Sequence, residues 1–331
     1  MKATERKNTL RRYDALPTER RHPSRYDLEQ LPSRTFLRAM TQEDERAARA
    51  VRQQIPQIAR AIELISEHLH GGGRLFFVGA GTSGRLGVIE AAECPPTFHT
   101  APPLVQAVIA GGRRAVFASR EGAEDDRRSA RATIINRRIK VKDVIVGITA
   151  SGVTPFVDEA LRAAARLGAG TILITCHPHS PIPSNLRIVL HTGPEILAGS
   201  TRLKAGTATK LVLNMLTLGS MVRLGKTYGN LMVDVRPTSQ KLRARAVRLV
   251  QTLTESSEQQ AQVALRAANG RVKIAVLMKL GQLSYGDALR SLQKSGDSLT
   301  RALDRTRRRV RSGRQSAARS REREQNGSTA R

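Results

Sequence analysis

Along the first part of the chain, apolar side chains recur every three to four residues. Between Glu43 and Leu69 they fall at Ala47, Val51, Ile55, Ile58, Ala61, Ile62, Ile65 and Leu69, which is the spacing of one helix face. Gly71-Gly72-Gly73 stops the pattern, and the period then changes. Arg74 to Val78 (RLFFV), Val105 to Ala110 (VQAVIA), Asp143 to Thr149 (DVIVGIT), Thr171 to Thr175 and Leu186 to His191 are short apolar runs. Such runs read as strands of a parallel sheet buried on both faces. Helical spacing returns between them. One stretch begins at Leu86, Val88 and Ile89 and is expected to end before Cys94-Pro95-Pro96. Others run from about Asp125 to Arg138, from Pro155 to Leu167 and from Ala208 to Leu224. Proline opens the third of these, where its missing N–H costs least. Strands alternating with helices predict an α/β fold with a doubly wound parallel sheet.

The flanks differ. Residues 1 to about 45 are polar and predict an N-terminal arm with a short helix around Phe36, Leu37 and Met40. From about Ser239 to Leu303 the pattern is helical only, as Lys241–Leu265, Val272–Leu280, Ser284–Ser291 and Leu299–Leu303. A small helical C-terminal domain that packs or supports a dimer is the default reading, with helix-turn-helix binding as its alternative. The expected organisation is an arm over 1–45, an α/β domain with its leading helix over 46–236, the helical domain over 237–303 and a basic, disordered tail over 304–331.

Charge adds one question. The 331 residues carry a formal net charge of +28. Residues 1–25 hold eight Lys or Arg against three acids, and 305–331 hold ten Arg against two, so 13 of the excess charges lie in the two ends. Nucleic-acid contact is one reading of such tails. With aromatics at 3 %, base stacking has few platforms, and a solvated basic tail is the favoured reading. A positive field suits an acidic small molecule either way. Two cysteines, Cys94 and Cys176, cannot form a disulfide framework and fit a reducing compartment. No 18-residue apolar run spans a membrane, and the first thirty residues lack the apolar core of a secretory signal.

The chemistry concentrates at two strand ends. After RLFFV comes Gly79-Ala80-Gly81-Thr82-Ser83-Gly84. Glycines allow close backbone approach, and a helix start favours negative charge. The loop formally matches a dinucleotide fingerprint, but no acidic residue follows about 20 positions on, and Arg85 stands where a P-loop has lysine. A ligand-free tight turn is the plainer alternative, and the Thr82 and Ser83 hydroxyls favour a phosphate ester over it. After DVIVGIT a second loop, Ala150-Ser151-Gly152-Val153-Thr154, offers Thr149, Ser151 and Thr154 at another helix start. Arg202 and Lys204 precede a helix, where the dipole disfavours cations. An anionic ligand or a carboxylate partner explains them better than capping. Cys176, His177 and His179 are clustered but lack a recognised metal-ligand spacing.

The motifs VGAGTSGRLGVIEAAECPPTF, EGAEDD, GITASGVTPF, GSTRLKAGTATKLVLNML and YGNLMVDV together resemble the N-acetylmuramic acid 6-phosphate etherase family, of the sugar isomerase (SIS) fold and related to the glucokinase regulatory protein. The resemblance covers about residues 14 to 300. It implies a homodimer with a doubly wound SIS domain, working in the cytoplasm on cell-wall sugar recycling. The implied reaction cleaves the C3 lactyl ether of N-acetylmuramic acid 6-phosphate with water, and needs no cofactor or metal. It also implies Glu93 as proton donor and Glu124 as its partner acid/base. By the fold resemblance, phosphate contacts fall on Thr82, Ser83, Thr149, Ser151 and Thr154, and Arg202 and Lys204 are expected to face the substrate's anionic groups. One departure is local: the family usually has Asn-x-Lys-Leu after VDV, and here it is Ser239-Gln240-Lys241-Leu242. The competing readings are a sugar-phosphate sensor without catalysis and a sugar-phosphate-responsive DNA-binding protein. Retention of both glutamates and the lack of a leading helix-turn-helix weigh against them.

Overall fold

The structure, a computed structural model, describes residues 16–235 and 239–308. The start of the expected arm and most of the expected basic tail lie outside these residues.

Five parallel strands form one sheet in the order β2-β1-β3-β4-β5: β1 Leu75–Gly79, β2 Val105–Ile109, β3 Val144–Thr149, β4 Gly170–Thr175 and β5 Leu186–Val189. Every residue of β1, β3 and β4 is buried, which explains their unbroken apolar runs. Chain order reverses between β1 and β3, and in open parallel sheets that switch point is where ligands bind, beyond the carboxyl ends of the strands. The register keeps those ends level, with Gly79 paired to Ile109 on one side and Ile148 on the other.

The helices are α1 Ser33–Gln53, α2 Ile55–His70, α3 Gly81–Phe98, α4 Arg114–Phe117, α5 Arg127–Asn136, α6 Pro155–Arg166 and α7 Lys204–Arg223. On one side of the sheet Phe76, Val78, Ile145 and Leu173 pack with Phe156 and Leu161 of α6 and Ile134 of α5. Two expectations need correcting here. The 43–69 pattern is two helices broken at Gln54, because Pro56 sits in the first turn of the second and a helix does not extend back through it. Conversely, α3 starts at Gly81 and runs through Pro95 and Pro96 to Phe98. Proline's fixed φ is helical, and only the last turn loses its hydrogen bonds.

Among the described residues the chain divides into two compact units. One runs to Pro95 and from Thr100 to Ser220, and the other takes Pro96–His99 and the chain from Met221 on. The second unit is helical, with α8 Gln240–Thr254, α9 Glu258–Ala267, α10 Val272–Gly281 and α11 Tyr285–Lys294. Its core includes Val250, Leu265, Ile274, Leu277, Leu292 and Leu299. The expected single helix over 241–265 is two: Glu255 takes a left-handed φ of 51°, and Ser257 with Gln260 forms a capping box that starts α9. Beneath these helices the Lys273 ammonium, almost fully buried, donates to Asp234 (2.6 Å) and to the Gly225 carbonyl (3.0 Å). No helix of the described residues is long and apolar enough to cross a membrane.

Candidate active site

The first loop folds tightly onto its own strand. A Cβ on Gly84 would sit 2.7 Å from the Gly79 carbonyl oxygen and 2.6 Å from Ile109, so only glycine lets α3 begin this close to β1. Thr82 and Ser83 lie half-buried in the first turn of α3.

The second loop is organised by Thr149, buried at the end of β3. Its Oγ1 is 2.8 Å from Thr154 Oγ1 and 3.3 Å from Ser151 Oγ, and accepts from the Gly152 N–H at 3.1 Å. Thr154 precedes α6 but makes no side-chain cap. Three hydroxyls therefore converge at a strand end. Gly152 has φ +73°, and a Cβ there would lie 2.7 Å from the His177 Cβ, so this turn also demands glycine.

Glu124 sits in a one-turn 3₁₀ helix, Ala123–Asp125, entered through Gly122 at φ 72°. It stands at the mouth of a cavity of about 180 Å³ whose walls include Gly81, Arg85, Ser119, Arg120 and Glu121. Partial burial, with Asp125 and Glu121 beside it, raises its carboxyl above the ordinary carboxylate range. This places one expected acid at the first loop.

Glu93 is elsewhere. It is exposed on α3, twelve residues beyond Gly81, which is about 18 Å along a helix axis. One turn back on the same helix, Glu90 is buried and accepts from Asn214 Nδ2 (2.6 Å) and from the Thr217 hydroxyl on α7. One turn before Glu93 on α3, Ile89 is 58 % exposed, and on α7, whose Asn214 and Thr217 hold Glu90, Met215 and Leu218 are 40 % and 52 % exposed. Cys94, buried next to Glu93, has its thiol pushed up to about 12 by burial and then by Glu90 and Glu93.

Arg202 is exposed in the turn before α7. Lys204 does not face an open site as expected. It is 1 % exposed, and its ammonium bonds to Glu43 of α1 and to the Pro194 carbonyl. The carboxylate partner, one of the two alternatives read from the sequence, is what the fold provides. Around it lies a polar cluster that sequence reasoning missed. Glu43 also accepts from Arg46 (2.8 Å) and from His22 Nε2 (3.2 Å). Since His22 Nδ1 accepts from the Ser24 N–H, Nε2 is the donor. Burial alone would raise the Glu43 carboxyl, but Lys204, Arg46 and His22 together hold it below the usual range. Glu195, also buried, accepts from the Lys204 and Ala205 N–H groups and caps α7, and its own burial raises its carboxyl. Glu43 and Lys204 are 161 positions apart, so no local sequence signal could pair them. Cys176, His177 and His179 form no metal set: among the described residues no group of three or more His, Cys, Asp or Glu could hold an ion.

With this geometry in place, comparison with known proteins is informative. Residues 57–165 match the glucokinase regulatory protein N-terminal SIS domain, and residues 134–219 match the SIS domain. The chain is 51 % identical over 291 residues to the N-acetylmuramic acid 6-phosphate etherase of Gloeobacter violaceus, covering 87 % of this chain and 95 % of that one. It is 46 % identical over 291 residues to N-acetylmuramic acid 6-phosphate etherase 2 of Vibrio cholerae, with the same coverage of both. Among solved structures, the phosphoheptose isomerase of Neisseria gonorrhoeae superposes with a TM-score of 0.45 at 19 % identity, over 57 % of this chain and 98 % of that one.

Proposed function

The chain belongs to the N-acetylmuramic acid 6-phosphate etherase family, and from that premise we propose how its residues carry the family's reaction. The enzyme is a carbon–oxygen lyase of amino sugar and peptidoglycan recycling. It takes N-acetylmuramic acid 6-phosphate and water to N-acetylglucosamine 6-phosphate and D-lactate.

An ether at the carbon β to an aldehyde leaves by elimination. In the open-chain sugar a base removes the C2 proton, the C3–O bond breaks, C2=C3 forms, and an acid protonates the departing lactate oxygen. Water then adds, hydroxyl to C3 and proton to C2. Oxidation levels balance without a redox partner, so two proton-transferring side chains and a phosphate grip suffice. Each such group is typically worth ~10² to 10⁴ in rate.

The 6-phosphate rests on the hydroxyls of Ser83, Ser151 and Thr154, with Thr82 and Thr149 supporting, where the loops after β1 and β3 meet. Glu124, at the edge of the first loop, takes the C2 proton; a carboxyl raised toward the working pH suits a group that must both accept and return a proton. Glu93 gives its proton to the lactate oxygen. We assign it to the site of a second copy, a reading supported by its distance from the first loop along α3, with the exposed Ile89 of α3 and Met215 and Leu218 of α7 as the face on which two copies pair. Arg202 faces the substrate anion at the rim. The setting is the cytoplasm, where sugar phosphates are handled and where Cys94 and Cys176 stay free thiols.

The observation that carries this reading is the pair of glycine–hydroxyl loops at the switch point between β1 and β3, with a carboxylate of raised pKa at the edge of the first. The test is D-lactate release from N-acetylmuramic acid 6-phosphate by the wild type beside Glu93→Gln and Glu124→Gln. Release by the wild type alone is expected. A folded wild type that binds the sugar phosphate and releases no lactate sinks it.

A further inference from the structure

We propose that Arg85 and Arg120 form a subsite for the lactyl carboxylate of the substrate, in the cavity beside Glu124. This deepens the reaction reading above and rests on it.

The substrate carries a permanent negative charge at each end, phosphate on C6 and carboxylate on the C3 substituent. The hydroxyl loop after β3 answers the first. The second needs a cation on the other side of β1. In the sheet β1 lies between β2 and β3, so the ends of β2 and β3 stand about 10 Å apart. The cavity is on the β2 side, where Ala110 follows β2 and Gly81 follows β1. At about 180 Å³ it is smaller than the ~300 Å³ at which sites for whole drug-sized ligands begin, so it suits a three-carbon acid rather than a sugar ring.

The two guanidiniums are positioned but not neutralised. Arg85 Nε donates to the Val116 carbonyl (3.0 Å), which fixes the side chain and leaves its outer edge only a long contact to Ser119 Oγ (3.5 Å). Arg120 Nη1 donates to the Gly111 carbonyl (3.2 Å). Among the described residues no carboxylate pairs with either. A planar guanidinium with a free edge matches a carboxylate in shape as well as charge. Glu121 and Glu124 also line the cavity. Once Glu124 has taken the C2 proton, two cations face one carboxylate, and the surplus charge matches the departing lactate. C2 and C3 share a bond, so a base at the C2 proton necessarily stands beside the C3 substituent.

The test compares N-acetylmuramic acid 6-phosphate with its lactamide analogue, in which a neutral carboxamide replaces the carboxylate. For the wild type, kcat/KM for the acid is expected to exceed that for the amide roughly 10- to 100-fold, the range for a hydrogen bond to a charged group. In Arg85→Gln and Arg120→Gln the acid is expected to fall much more than the amide, so that the ratio moves toward one, and binding of N-acetylglucosamine 6-phosphate, which lacks the lactyl group, is retained. A wild type that treats acid and amide alike overturns the proposal, as does an unchanged ratio in both variants. If instead the variants lose preference for the 6-phosphate over unphosphorylated N-acetylmuramic acid, the arginines hold the phosphate and the proposal is wrong. Should Arg85→Gln fail to fold, the exposed Arg120 and the wild-type ratio still decide. A wild type that releases no lactate from the acid refutes the underlying reaction reading instead.

Discussion

At the scale of single residues, Glu124 is the group whose environment says most about its work. Burial contributes most to its raised carboxyl, and the negative charges of Asp125 and Glu121 add to it. In the proposed role of base it must be ionised, so kcat/KM should rise with pH through a value above the ordinary carboxylate range. Replacing Asp125 with Asn removes one of the charges opposing ionisation, and the acid limb of the profile should then move to lower pH. It should move only part of the way, because burial remains. A pH–rate profile on both proteins checks this, and an unmoved limb assigns it to another group. The neighbouring Gly84 makes a second residue-scale case. A Cβ there would meet a backbone oxygen at 2.7 Å and a strand side chain at 2.6 Å. A carbonyl cannot swing aside as a flexible side chain can. Gly84→Ala should therefore cost about 1–3 kcal/mol in unfolding free energy and displace the first loop, with a loss of substrate affinity larger than the loss of stability predicts. Denaturant unfolding and KM, measured on the same preparation, separate the two.

At the scale of elements, the start of α7 is tied to α1 by Lys204 and Glu43, both nearly inaccessible to water. Breaking a buried pair by removing one partner costs about 3–5 kcal/mol when the other is left alone; here Arg46 and His22 still hold Glu43, so the loss should fall below that range. Lys204→Met should lower the melting temperature, and Glu43→Met added to it should restore part of the loss, since the half-exposed Arg46 can turn to water and His22 can stay neutral. If the double variant is no more stable than the single one, the pair is not the unit that matters. The pH sign follows from the lowered Glu43 carboxyl. Its contribution is present above the unfolded value and is lost as pH falls through the lower folded value, so the wild type, but not the double variant, should loosen in acid through this contact. This element also shows where the sequence was legible and where it was not. The strands could be placed to within a residue or two because runs such as DVIVGIT are apolar throughout, and both hydroxyl loops followed from their glycines. The exit of α3 was misjudged because Pro95-Pro96 reads as a stop, yet proline only weakens the final turn. Lys204 was read as facing a ligand or a carboxylate, and only tertiary structure could choose, because its partner Glu43 is remote in sequence.

At the scale of the whole molecule, the two glutamates proposed to share one reaction lie at different places on the chain. Glu124 lines the cavity with Gly81, while Glu93 is exposed farther along α3, one turn beyond the exposed Ile89. Sequence could name both glutamates through the resemblance, but not their separation, because tertiary structure alone brings the Glu124 turn to the first loop while Glu93 stays twelve residues along α3. If two copies pair through this face, each site takes Glu124 from one copy and Glu93 from the other. Mixing Glu93→Gln with Glu124→Gln chains then makes a sharp test, since each is inactive alone. In a mixed dimer one site draws Glu124 from the first variant and Glu93 from the second, and is intact; its twin has neither. Random pairing makes half the dimers mixed, each with one working site of two, so about a quarter of wild-type activity should return in a closed two-fold dimer. If each copy used its own pair of glutamates, every site in the mixture would lack one acid and activity would stay at the level of the single variants. A complementary Leu218→Glu change should weaken both pairing and activity, with sedimentation velocity reporting the first and lactate release the second. Loss of pairing with full activity would return Glu93 to its own chain's site.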